Sequence, residues 1–212
     1  MMTMKNSWLR WCATVVCVAS LSSLLGACVP LIVGGAAVGG ALVATDRRTS
    51  GAQLEDESIE LRSIGRINDS LGSRAHVNVT SYNRQVLLSG EVPSAQDKQL
   101  VEQIVSRVEN VRSVVNELAV LGASSLTQRS SDALVTGKVK AAMVDSKDLF
   151  ANAFKVVTER GVVYLMGRVS QREANRATEI ARSTGGVQKV VRLLEIISEE
   201  ELQRTLPQAP KS

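Results

Sequence analysis

Few side chains in this 212-residue chain can do covalent or metal chemistry: three cysteines, Cys12, Cys17 and Cys28, and one histidine, His76. A zinc site built from Cys and His needs several such ligands at close spacing. No such cluster is present, so the sequence predicts no metal and no catalytic residue. His76 opens a strand-like stretch and reads as structural or exposed, and no serine has another histidine to serve as its base. Glu199, Glu200 and Glu201 read as a solvated helix end. The glycines at 34, 35, 39 and 40 lack the lysine and the preceding strand of a phosphate loop. The expectation is a binding module, not an enzyme.

Cys28 closes the run Leu25-Gly26-Ala27-Cys28, after an apolar stretch over 11–25 with Lys5 and Arg10 ahead of it. A positive start, a short apolar segment and small residues at its end read as a secretory signal. The segment is short for a membrane span. Cys12 and Cys17 would leave with that signal, and Cys28 would be the lone cysteine of the mature chain. A lone cysteine has no partner for an intrachain disulfide, and a sulfur already carrying a lipid could not act as a nucleophile.

The tetrapeptide resembles the lipobox of bacterial lipoproteins, in which cleavage before the cysteine follows acylation of its sulfur. That resemblance implies a signal peptide over 1–27 and palmitate-type lipid attachment at Cys28, with no other cofactor. Several acyl chains on one residue exceed the two signals that stable anchoring takes. Val29 follows, not the aspartate that retains such proteins in the inner membrane. The implied location is the outer membrane, on its periplasmic face. A plain transmembrane anchor with an incidental cysteine is the competing reading.

The elements around these residues are built from Val, Leu, Ile and Ala, since hydrophobic residues make up 44% of the chain and aromatics only 3%. Residues 28–54 are rich in Gly, Ala, Thr and Ser, with a charged knot at Asp46-Arg47-Arg48, and read as a flexible tether. Residues 198–212 read as a polar tail, helical at first and then disordered. Between them lies an internal repeat. "QVLLSGEV" (85–92) returns as "VVYLMGRV" (162–169), and "VRSVVNEL" (111–118) as "VQKVVRLL" (187–194). Period-two alternation of Val86, Leu88, Gly90 and Val92, and of Val163, Leu165, Gly167 and Val169, predicts strands with one buried face. Further strands are expected at 76–82 and 153–159, and helices at 58–71, 94–108, 131–143 and 171–183. Each unit is then αββαβ and roughly 65 residues, near the lower size for independent folding.

Two such units, each with a glycine late in the second strand and a V-x-x-V-V third strand, resemble paired BON domains. With the lipobox, the chain resembles the dual BON-domain outer-membrane lipoproteins; "ATDRRT", "NVTSY", "VLL" and "YLMG" carry most of the likeness. The implied fold is α+β, with BON domains at 55–120 and 131–197, a linker at 121–130, and in each domain a three-stranded mixed sheet with two helices. The implied function is non-enzymatic: binding of anionic phospholipid through the second domain, gathering at division sites and support of envelope integrity. Envelope proteins are further implied partners.

The charge pattern bears on this. Residues 55–120 carry seven Lys or Arg against ten Asp or Glu, and residues 131–197 carry eleven against seven. The net charge of +4 thus conceals an acidic first unit and a basic second one, and is too small to imply nucleic acid. Leu134, Val135, Lys138 and Lys140 on the first helix of the second unit are the phospholipid-contact candidates; the competing reading makes the lysines a solvated helix face. Where the family places a tryptophan that enters the lipid, this chain has Leu134. Both its tryptophans, Trp8 and Trp11, lie in the signal. Gly90 and Gly167 are the structural glycines, expected to lie under the facing helix. The alternative function is a periplasmic stress adaptor or chaperone-like module that binds proteins through apolar sheet faces and strand edges.

Overall fold

The computed structural model describes residues 46–205, which belong to one unit. Cys28 and the signal segment lie outside the described residues. In chain order the elements are α1 (Ser50–Leu71), β1 (His76–Tyr82), β2 (Gln85–Val92), α2 (Ala95–Ser106), β3 (Ser113–Asn116), β4 (Ala119–Val120), α3 (Leu126–Asp145), β5 (Phe154–Glu159), β6 (Val162–Ser170), α4 (Gln171–Ser183), β7 (Lys189–Ile197) and α5 (Glu199–Thr205). The αββαβ order occurs twice, in an α+β fold.

Side-chain caps set where the four long helices begin. Thr49, Ser94, Ser125 and Ser170 each accept from the amide three residues on, satisfying a donor that the helix leaves free. Thr49 starts α1 at Ser50 and Ser125 starts α3 at Leu126, so helix extends into stretches read from sequence as tether and linker.

Each domain folds its first two strands into an antiparallel hairpin and returns the third, parallel, on the other side of the second. The hairpin turns place Asn83 and Arg84 at φ 49° and 67°, and Arg160 and Gly161 at 51° and 73°. Positive φ at both central residues matches the twist of the flanking strands. A buried aspartate braces each turn. Asp56 of α1 accepts from the amides of Asn83 (2.7 Å) and Arg84 (2.8 Å); Asp132 of α3 accepts from those of Arg160 (2.8 Å) and Gly161 (2.9 Å).

The third strands differ between the domains. β7 runs unbroken for nine residues, whereas its counterpart is interrupted after Asn116 and resumes as the two-residue β4. Leu118 turns into the core at the break; its amide donates to the Asn116 side chain at 3.2 Å, and Lys98 Nζ donates to its carbonyl at 2.7 Å. The first sheet therefore has four strands in place of the expected three.

Each sheet buries one face on its helices: Ile59, Ile67, Val101 and Val105 against Val86, Leu88 and Val92 in the first domain, and Val135, Val139, Ala177 and Ala181 against Val163, Leu165 and Val169 in the second. The other faces are not solvated. Tyr82 and Leu87 of the first sheet pack on Tyr164 and Met166 of the second, with Val157, Val162, Val191 and Leu193 around them. The expectation of one buried face per strand is thus corrected: β2 and β6 are buried on both sides because the two sheets pack back to back. Both tyrosines of the chain lie at this seam.

The two strand glycines are explained by backbone, not by a facing helix. A Cβ on Gly90, which holds φ 108°, would stand 2.1 Å from the His76 carbonyl oxygen. One on Gly167 would stand 2.5 Å from that of Ala153. In both sheets the neighbouring chain passes too close for a side chain.

Candidate functional site

α3 is twenty residues long, about 30 Å at 1.5 Å per residue. Its inner face is made by Asp132, Val135, Val139 and Met143, all buried. Val135 is 5% exposed and packs in the second core, so it is removed from the lipid-contact candidates. Its neighbour Leu134 lies one residue, and so a quarter turn, further round and is 68% exposed.

The outward face is broader than the sequence indicates. Leu126, Ala133, Leu134, Gly137, Ala141 and Val144 are all exposed, and on a 3.6-residue period they share one side of the helix. Lys138 borders this apolar strip on one side and Lys140 on the other, both exposed. Asp145 stands at its C-terminal end. Leu126 and Val144 lie outside the 131–143 window in which a helix is expected, and that is why sequence reasoning missed them. No helix among the described residues is long and apolar enough to cross a membrane.

A second set of residues joins the two domains. Arg47, from the charged knot read as part of the tether, reaches Glu173 on α4 with two hydrogen bonds, at 2.7 and 2.8 Å, and the Arg168 carbonyl at 3.1 Å. Arg48 binds the first domain, pairing with Asp56 at 2.7 Å and standing 4.3 Å from the Tyr82 ring centroid. Successive arginines thus clamp opposite domains. Burial alone would raise the Glu173 pKa. Hydrogen bonds from Arg47 and the Ser170 amide overcome that and hold the carboxyl below the usual range. Asp56 is likewise held low, burial being outweighed by Ser81, Arg84, Arg48 and Asn83. Burial pushes the Tyr82 phenol up to about 12, and its oxygen accepts from the Arg168 amide across the seam at 3.3 Å.

Further polar contacts cross the same seam. Asn78 donates to Glu159 (2.8 Å), Asn83 to Glu195 (2.7 Å), and Lys155 to Glu60 (2.7 Å). At the C-terminal end, Leu202 of α5 is buried, and Arg168 pairs with Glu201. The expected polar tail therefore begins with a docked turn of helix.

Comparison with known proteins places this arrangement. The BON domain matches residues 55–122 and again 131–198. Outer membrane lipoprotein DolP of Haemophilus influenzae is 38% identical over 185 residues, covering 84% of this chain and 95% of its own. The 21 kDa hemolysin of Actinobacillus pleuropneumoniae is 30% identical over 154 residues, 72% of this chain and 79% of its own. Osmotically-inducible protein Y of Escherichia coli is 32% identical over 117 residues, 54% of this chain and 58% of its own. With the domain matched twice over more than half of its length, the chain belongs to the BON-domain family.

Proposed function

We propose that the chain is a non-enzymatic outer-membrane lipoprotein, anchored by acyl chains on Cys28, whose second BON domain lays the outward face of α3 on anionic phospholipid. The observation that carries this reading is the exposed apolar strip of Leu126, Leu134 and Val144 between Lys138 and Lys140. Each lysine near an anionic surface contributes roughly 1 kcal/mol, and full burial of a leucine about 1.5–3 kcal/mol. Such a contact is weak for a free protein. It suffices for one already tethered, because the anchor makes docking intramolecular and raises the effective concentration of the surface. The similarity to the relative named outer membrane lipoprotein DolP supports the anchored location. By the family resemblance, the same contact serves accumulation at division sites and support of envelope integrity.

The adaptor reading would draw on apolar sheet faces, and those of β2 and β6 are covered by each other. Co-sedimentation of residues 42–212 with vesicles separates the two. Binding to anionic vesicles that weakens with salt, and is lost in Lys138→Glu with Lys140→Glu, supports the lipid reading. Arg107→Glu with Arg112→Glu, exposed in the first domain, serves as the charge-matched control and should bind as the parent does. Equal binding to neutral and anionic vesicles, or equal binding by all three proteins, contradicts it. For the anchor, palmitate labelling that persists in Cys28→Ala would overturn the attachment site.

A further inference from the structure

His76 and Glu91 are direct partners across the β1–β2 ladder. Gly90, in its left-handed conformation, lets the two strands close up beside them, with the His76 Nδ1 atom 3.1 Å from Glu91 Oε2. Glu159, at the end of β5 in the other domain, is brought to the same point by the packing of the two sheets. One ring nitrogen of His76 and one carboxylate oxygen from each glutamate lie within 4.8 Å of one another. Ligand atoms on a tetrahedral zinc ion at ~2.1 Å stand about 3.4 Å apart, so a small side-chain adjustment closes the set. A cavity of about 450 Å³, lined by His76, Asn78, Arg129, Asp132, Thr136 and Glu159, gives the cluster access to solvent.

The surroundings of Glu159 favour a positive partner. Glu159 is 7% exposed, and among the described residues no lysine or arginine pairs with it; its hydrogen-bond donor is the neutral Asn78 amide. Glu91 is better served, by the Ser124 amide at 3.1 Å and by Arg160 at 3.4 Å. Arg160 is a loose partner, its side chain 43% exposed, and it can turn outward if a metal takes its place. A buried carboxylate with no partner of opposite charge is costly, and either a proton or a metal cation relieves that cost.

We propose that His76, Glu91 and Glu159 form a divalent transition-metal site, with zinc as the ion it fits, joining the first domain to the second. An imidazole with two carboxylates suits zinc or cobalt; magnesium and calcium favour all-oxygen sets. Three protein ligands leave a fourth position for water from the cavity. Because two ligands come from one domain and one from the other, the bound ion would stiffen the seam.

The test is thermal unfolding and calorimetric titration of the full chain in detergent, stripped with chelator and then supplied with Zn²⁺, Co²⁺, Mg²⁺ or Ca²⁺. The expected result is one Zn²⁺ per chain, a raised melting temperature with Zn²⁺ and Co²⁺, and no response to Mg²⁺ or Ca²⁺. His76→Gln and Glu159→Gln should each lose the zinc response, while Glu102→Gln, exposed on α2, keeps it. Glu159→Gln also separates ligation from folding: removal of a buried unpaired charge should leave the metal-free melting temperature equal or higher. No zinc response in the folded parent chain, or an undiminished one in both ligand variants, overturns the site.

Discussion

Arg47 and Glu173 lie 126 positions apart in sequence, yet they meet in a doubly hydrogen-bonded pair whose side chains are 3% and 1% exposed. Glu173 is also the third residue of α4, where its carboxylate closes the capping box with Ser170. A residue just ahead of the first domain is thereby fixed to the start of a helix in the second. Removing one partner of a buried pair leaves the other charged and unsatisfied, at about 3–5 kcal/mol. Arg47→Ala should destabilise the protein by that amount in urea unfolding. Arg47→Ala combined with Glu173→Gln should cost less than the sum of the two single changes. Additive costs would contradict the direct coupling.

The carboxylates held low by this network set an acid limit. Glu173 and Asp56, held by Arg47 and Arg48 in turn, each have a folded pKa below the ordinary value. Their contribution is complete above the ordinary carboxylate range, near pH 4, and is lost as pH falls through the depressed folded values. Melting temperature measured from neutral to acid pH should therefore be flat first and then fall steeply. The fall should be shallower in Arg47→Ala, where Glu173 no longer has its cation. An unchanged acid limb in that variant would contradict the assignment.

Gly90 and Gly167 should not be equally sensitive. Gly167→Ala meets the Ala153 carbonyl and should cost about 1–3 kcal/mol by overpacking. Gly90→Ala meets the His76 carbonyl more closely and also forces a side chain at φ 108°, which adds about 1–3 kcal/mol of strain. The melting temperature should drop more for Gly90→Ala than for Gly167→Ala; the reverse order would contradict this account of the strands.

Much of this architecture was legible in the repeat. The alternation in 85–92 and 162–169 marks β2 and β6, and the third strands follow from the V-x-x-V-V segments. The back-to-back packing was less visible, although "VLL" and "YLM" interrupt strict alternation with continuous apolar runs, as strands buried on both faces do. On α3, Lys138 and Lys140 could be read directly. Val135 could not be told from Leu134 without knowing where the core lies, since one step along a helix turns a side chain by a quarter turn. The seam is formed by pairs remote in sequence, such as Asn78 with Glu159 and Asn83 with Glu195. No local pattern marks them, and only the docking of the sheets brings them together.

The lipid reading requires the outward face of α3 to meet the membrane. Residues 42–212 contain no tryptophan, so Leu134→Trp places a single reporter at that face, and Leu61→Trp, exposed on α1 of the first domain, provides the matched control. The measurement is tryptophan emission on addition of anionic or neutral vesicles, with a quencher carried on the lipid chains. The account predicts a blue shift and quenching at position 134 with anionic vesicles, and neither at position 61. No shift at 134, or equal shifts at both positions, would contradict it.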